Sequence, residues 1–97
     1  MQRKLPSTAS AKRHMASVAE LGCICCERLG YGATPAQVHH IREGRIARSD
    51  WLVLPLCRVH HTGSAMSMHM DKEPLLRALG LFSEFDLLAD VMQRLAK

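Results

Sequence analysis

The chain contains few aromatic residues. Its 97 residues include one Trp, one Tyr and two Phe, so large buried rings add little area to the core. A domain of this length is near the lower limit at which a hydrophobic core is stable by itself. We therefore expect one domain over residues 1–97 that is stabilised by something besides its core.

The sequence also shows no segment typical of a membrane span or a secretory signal. No apolar run approaches the roughly 20 residues that a membrane span needs, and the N-terminus has no continuous apolar segment typical of a secretory signal. We expect a cytoplasmic protein with no membrane partner. In a reducing cytosol, clustered Cys and His bind metal more often than they form disulfides.

Acidic residues are absent from the chain before Glu20, whereas Arg3, Lys4, Lys12 and Arg13 are basic, and the net charge is +4. Such a stretch can be an ordinary solvated face, or it can contact a phosphate backbone. Composition alone does not decide between these two interpretations.

The pattern of apolar residues predicts an α+β domain. Two apolar segments around a polar loop are typical of an antiparallel hairpin. Pro55 indicates that the second strand is an edge strand or ends near this residue. The predicted segments are a loose tail at 1–7, a helix at 8–21, a turn-rich stretch at 23–36, strands at 36–41 and 51–57, a short helix from 57, and helices at 73–80 and 83–97.

Helix signals are clearest at the C-terminal end. Pro74 suits a first turn and Gly80 a helix end, and Ser83 can cap the last helix. That helix has an apolar stripe which we expect to lie in the core: Phe85, Leu88, Val91 or Met92, and Leu95.

Cys23 and Cys26 form a C-x2-C pair, and Cys57 and His60 repeat this spacing. Two such pairs can supply four ligands to a tetrahedral Zn²⁺, and metal binding can contribute about 10–16 kcal/mol to folding. The alternative is that these are ordinary buried thiols. Cys25 is a possible substitute ligand, although we interpret it as a bystander.

Four of the six histidines occur as two adjacent pairs, His39–His40 and His60–His61. Successive side chains of a strand point to opposite faces, so His39 and His40 should have different roles. One arrangement accounts for the histidines outside the Cys-rich pairs: His39, His61 and His69 hold a metal ion, and His40 on the opposite face acts as a base. His14 is expected to be an ordinary surface residue.

The ordered motifs resemble a known family. "VHHI" followed by "LPLCRVHH" is similar to the ββα-metal (HNH) nuclease motif. Together with "LGCICCERLGYG", the "SMH" of residues 67–69 and the trailing "LLRALG", they resemble the Ref-like, RecA-dependent nucleases of phages and bacteria over roughly residues 10 to 80.

This resemblance implies a ββα-metal finger with a structural zinc knuckle, flanked by N-terminal and C-terminal helices. It implies a metal-dependent DNA endonuclease associated with recombination, located in the cytoplasm of a bacterial host or encoded by a phage. DNA would be its substrate and a RecA-type filament a possible partner. By the same resemblance His40 is the general base, His39 and His61 are metal ligands, and His69 is a further ligand.

The chain departs from the family pattern at two positions. The Asn of the HNH motif would fall near Leu52, which cannot hydrogen-bond, so Asp50 or Ser49 is a candidate to replace it. Many family members place the last helix ligand where this chain has Ala65, and His69 lies further along, beyond Gly63.

Phosphodiester hydrolysis suits these residue types. A neutral imidazole can accept a proton from water, and a bound Mg²⁺, Mn²⁺ or Zn²⁺ can neutralise charge on the phosphate and the leaving oxygen. Basic residues around the hairpin could bind the DNA phosphates, although each of them could instead only increase solubility: Arg42, Arg45, Arg48, Arg58 and Lys72.

The alternative functions are a non-catalytic zinc-stabilised nucleic-acid-binding module and a small zinc-stabilised protein-interaction domain. His40 favours the enzyme, since a binding module has no use for it.

Overall fold

The computed structural model describes residues 7–63 and 66–97. Within these residues the chain forms a small α+β fold with four α-helices, two strands and one π-helical turn. In chain order they are α1 (Ala9–Glu20), α2 (Ile24–Arg28), β1 (Gln37–His40), β2 (Val53–Leu56), the π turn (Val59–Gly63), α3 (Lys72–Leu79) and α4 (Glu84–Leu95). The tail predicted at 1–7 falls, apart from Ser7, outside the described residues.

Helix α1 lies within the segment predicted at 8–21. The Thr8 hydroxyl accepts a hydrogen bond from the Ala11 amide at 3.0 Å and so caps the helix. Ala11 and Val18 of this helix are buried. The chain leaves the helix through Gly22, which has a φ of +80° and lies so close to the Thr34 backbone that a side chain would crowd it.

The predicted hairpin is confirmed as an antiparallel pair in which His39 lies opposite Leu54 and His40 opposite Val53. In the described part of the chain the sheet has only these two strands, so Pro55 occupies an edge strand. All four residues of β2 are buried, and helices α1, α2 and α4 pack against this strand. A two-stranded sheet needs such cover to be stable in water.

Helix α4 begins with the predicted Ser83 cap. Asp86 completes a capping box, and α3 ends at Gly80 in the left-handed conformation.

The predicted buried stripe of α4 was wrong in part. Phe85 is 38% exposed, whereas Leu87, which the stripe did not include, is fully buried. Of the alternatives Val91 and Met92, Val91 is the buried residue. The helix is turned so that Glu84 also faces the interior, where it meets His39. Leu88 and Leu95 pack against the core as partly buried residues.

The core is a single cluster of aliphatic residues and cysteine side chains, and all four cysteines belong to it. No helix in the described ranges has the length and apolar character needed to span a bilayer.

Candidate functional site

Cys23, Cys26, Cys57 and His60 are brought together in the interior. Cys23 caps α2 and Cys26 lies in its first turn, while Cys57 follows β2 and His60 belongs to the π turn. The His60 Nδ1 atom lies 3.6 Å from the Sγ of Cys23, 3.4 Å from that of Cys26 and 3.3 Å from that of Cys57. The Sγ atoms of Cys26 and Cys57 are 3.7 Å apart.

These distances match a tetrahedral ligand set. Zn–S bonds of about 2.3 Å and Zn–N bonds of about 2.0–2.1 Å give tetrahedral edges of roughly 3.8 Å between sulfurs and roughly 3.5 Å between sulfur and nitrogen. All four side chains are buried. This Cys3His cluster could therefore hold a metal ion such as zinc.

Cys25 lies outside the ligand cluster but interacts with it. Its thiol hydrogen-bonds to Cys23, and this bond, although opposed by burial, lowers the pKa of Cys23 to about 4. The same hydrogen bond, together with burial, raises the pKa of Cys25 itself. Burial raises the pKa of Cys26 to about 11. Cys25 thus interacts with Cys23 and is not itself one of the clustered ligands.

A second cluster consists of His39, His61 and His69. One ring nitrogen from each lies within 4.8 Å of the others, and the Nε2 atoms of His61 and His69 are 3.1 Å apart. Ring centroids are separated by 5.2 Å for His39 and His61 and by 5.1 Å for His39 and His69. Two nitrogens bound tetrahedrally to one zinc ion would be roughly 3.3 Å apart, so this cluster also fits a metal ion.

Hydrogen bonds behind these imidazoles orient them. The Glu84 carboxylate accepts from His39 Nε2, and Gln37 Oε1 accepts from His61 Nδ1 at 2.9 Å. Ligand histidines usually make such a bond with their second nitrogen. In the described part of the chain, His39 Nδ1 is buried and has no hydrogen-bond partner. A buried polar atom without a partner is costly, and a metal ion would satisfy this one.

The protonation of His61 and His69 favours metal binding. Burial, with the nearby charge of His39, lowers the pKa of His61 and of His69. Both rings are therefore held in the neutral form, which is the form that binds metal.

Glu84 is the centre of a buried polar network. It is 2% exposed, and its Oε2 lies 3.2 Å from Lys72 Nζ. Glu43 Oε1 accepts from the Glu84 amide at 2.8 Å and lies 3.4 Å from Lys72 Nζ. Burial acts to raise the pKa of Glu84, but His39 and Lys72 outweigh it and lower the pKa.

His40 has a different set of partners from His39. Its Nε2 atom lies 2.8 Å from Asp50 Oδ1, and its Nδ1 atom lies 3.4 Å from Arg48 Nη2. Asp50 also accepts a hydrogen bond from the Ser7 hydroxyl. Of the two candidates to replace the motif Asn, Asp50 is thus the one bonded to His40, whereas the Ser49 hydroxyl accepts from the Trp51 amide.

One cavity connects the three-histidine cluster with His40. Its volume is about 160 Å³, and it is lined by Val38, His39, His40, Arg42, Arg48, His61 and His69. Of the five predicted phosphate contacts, Arg42 and Arg48 lie here. Arg45 and Arg58 are exposed elsewhere, and Lys72 is paired with Glu43 and Glu84.

Sequence reasoning missed three residues of this site. Gln37 lies two positions before His39, on the same face of β1, so strand periodicity could have identified it. Glu43 and Glu84 are distant in sequence from their partners, and Glu84 is 45 residues from His39. No local signal marks them.

The fold and the two clusters define a small α+β protein with two candidate metal sites. A family model described as "Recombination enhancement, RecA-dependent nuclease" matches residues 7–84, and the chain belongs to this family. The predicted Ref-like family is thereby confirmed. The matched segment contains both histidine pairs, the Cys3His cluster and Glu84. No curated protein shows significant similarity to the chain.

Proposed function

We propose that this chain is a metal-dependent DNA endonuclease of the HNH type that hydrolyses phosphodiester bonds. The observation that carries the proposal is one cavity containing both a three-histidine cluster and a separate histidine bonded to a carboxylate. Two antiparallel strands followed by a helical turn support a ββα-metal finger spanning these residues. The family's description as a RecA-dependent nuclease supports DNA as substrate and a RecA-type filament as partner.

His40 is the proposed general base. Asp50 accepts a hydrogen bond from Nε2, so the lone pair of His40 is on Nδ1, where it now accepts from Arg48 at 3.4 Å. When Arg48 turns to a bound phosphate, Nδ1 would take a proton from a water molecule, and the Asp50 carboxylate would stabilise the imidazolium that forms. This is the logic of a base oriented by a third group. Asp50 would thus do in this chain what the Asn does in the HNH motif.

His39, His61 and His69 would hold the catalytic ion, with Glu84 and Gln37 fixing the orientation of two of the rings. When bound, Mg²⁺, Mn²⁺ or Zn²⁺ would neutralise charge on the phosphate and on the leaving 3′ oxygen. Arg42 and Arg48 line the same cavity and would position the phosphate. Arg45, Arg58 and Lys72 stay predicted phosphate contacts, with Lys72 also neutralising Glu84.

The Cys3His cluster would hold a structural zinc ion. It joins α2 to the end of β2 and to the π turn. Because His60 and His61 are adjacent, fixing His60 in this cluster also fixes the backbone that carries His61 into the other one. The two histidines of this pair would therefore serve two different ions.

The function is tested by incubating purified protein with supercoiled plasmid and with single-stranded DNA, with and without a RecA-type filament. For protein that carries one zinc ion per chain, we expect nicking or cutting when Mg²⁺, Mn²⁺ or further Zn²⁺ is added and none when these ions are withheld. A mock preparation from cells without the chain controls for contaminating nuclease. DNA binding without cleavage under all these conditions would instead support the non-catalytic zinc-stabilised module.

A further inference from the structure

Trp51, in the loop before β2, is the only tryptophan of the chain, and it is 49% exposed. Its ring centroid lies 4.8 Å from that of His14 on α1, with 32° between the ring planes. His14 Nε2 also lies 3.3 Å from the Trp51 carbonyl oxygen. The indole is therefore supported from one side by α1, while about half of the residue faces solvent.

A single exposed aromatic residue is not by itself a binding site, but the position of this one is informative. Trp51 directly follows Asp50, whose carboxylate holds His40, and consecutive Cα atoms are only about 3.8 Å apart. The backbone of Trp51 is therefore adjacent to the residue that holds the proposed base, while its indole packs on α1.

The exposed charged residues close in sequence to His14 and Trp51 are mostly basic. Lys12 and Arg13 precede His14 on α1, and Arg45 and Arg48 lie in the same loop as Trp51; all four side chains are exposed. The acidic groups of this loop are engaged: Asp50 with His40, and Glu43 with Lys72 and the Glu84 amide. A ligand that stacks on Trp51 would thus find cations suited to phosphate groups.

Resting on the proposed nuclease function, we propose that Trp51, backed by His14, is a stacking platform for an unpaired nucleobase of the bound DNA strand. In an intact duplex both faces of each base are covered by neighbouring bases, so an aromatic ring at the surface can stack only on a base that has left the helix. Such stacking tolerates any base, and each stacked base strengthens binding about 5- to 150-fold. The platform would favour single-stranded or locally opened DNA over intact duplex.

The test measures binding without added Mg²⁺ or Mn²⁺, so that it does not depend on cleavage. The probes are an oligothymidylate, a matched oligomer of abasic sites and a duplex of equal length. Saturating oligothymidylate should quench the tryptophan fluorescence, whereas the abasic oligomer and the duplex should not.

Variants then test whether the Trp51 indole is responsible for the binding of oligothymidylate. By anisotropy of labelled probes, Trp51→Ala should bind oligothymidylate about 5- to 150-fold more weakly, with little change for the abasic oligomer. Trp51→Phe should retain most of the affinity, and its melting curve checks the fold at this position. Phe82→Ala, which removes a ring that is 97% exposed on the α3–α4 connection, is the matched control and should bind like wild type.

Two results would show that the His14–Trp51 contact only fixes the loop on α1. One is that Trp51→Ala binds oligothymidylate and the abasic oligomer equally more weakly. The other is that saturating oligothymidylate leaves the tryptophan fluorescence of wild type unquenched. Failure of wild type to bind oligothymidylate would overturn the platform as well. Quenching and selective weakening in a chain that cleaves nothing would support the platform and overturn the proposed nuclease function alone.

Discussion

Cys57→Ser should leave the chain largely unfolded. The Cys57 sulfur is one corner of a buried cluster that joins the end of β2 to α2 and the π turn. A structural zinc site contributes about 10–16 kcal/mol of apparent free energy, while the whole stability of a small domain is about 5–15 kcal/mol. The core of a 97-residue chain with so few aromatic residues does not supply enough free energy of folding to replace that contribution.

Circular dichroism melting and elemental analysis measure this result, and the chain offers a matched control. Cys25 is as deeply buried as its neighbours but lies outside the ligand cluster. Cys25→Ser, which can still donate a hydrogen bond to Cys23, should keep one zinc ion per chain and a cooperative melt. The hypothesis of a structural zinc ion would be refuted if natively purified protein contains no zinc and chelators leave its melting curve unchanged.

His40→Ala should keep the fold, both metals and DNA binding, yet cleave about 10²–10⁴-fold more slowly. That loss is the usual contribution of a positioned general base. The structure supports a selective effect because His40 contacts Asp50 and Arg48 and belongs to neither ligand cluster.

Single-turnover cleavage of a labelled oligonucleotide measures the loss. Zinc content and DNA affinity, determined on the same preparations, separate a missing base from a damaged site. Cleavage by His40→Ala at the wild-type rate, in protein free of contaminating nuclease, would mean that another group accepts the proton.

Much of this arrangement follows from local rules. The two-residue spacing of Cys23–Cys26 and Cys57–His60 lets tight turns aim both members of each pair at one point. Strand periodicity separates His39 from His40. The hairpin and the capped α4 were predictable for similar reasons, since their signals lie within a few residues of the elements they define.

Other parts depend on tertiary contacts that no local pattern contains. The stripe predicted for α4 placed Phe85 in the core, but burial of Glu84 against His39 and Lys72 turns the helix away from that arrangement. The short helix α2, within a stretch expected to be turns, is capped by Cys23, a side chain that also faces the Cys3His cluster.

The most direct test of the account is the cleavage rate as a function of added Mg²⁺ or Mn²⁺, in protein that carries one zinc ion per chain. We predict a saturable curve for wild type. Glu84→Gln should require a roughly 10–100-fold higher ion concentration to reach half of its maximal rate. This is the effect expected when the carboxylate that accepts a hydrogen bond from a ligand histidine is lost. His61→Ala should require more still, with partial rescue by excess ion. A rate independent of added ion, or the same curve in His61→Ala as in wild type, would contradict a catalytic ion at His39, His61 and His69.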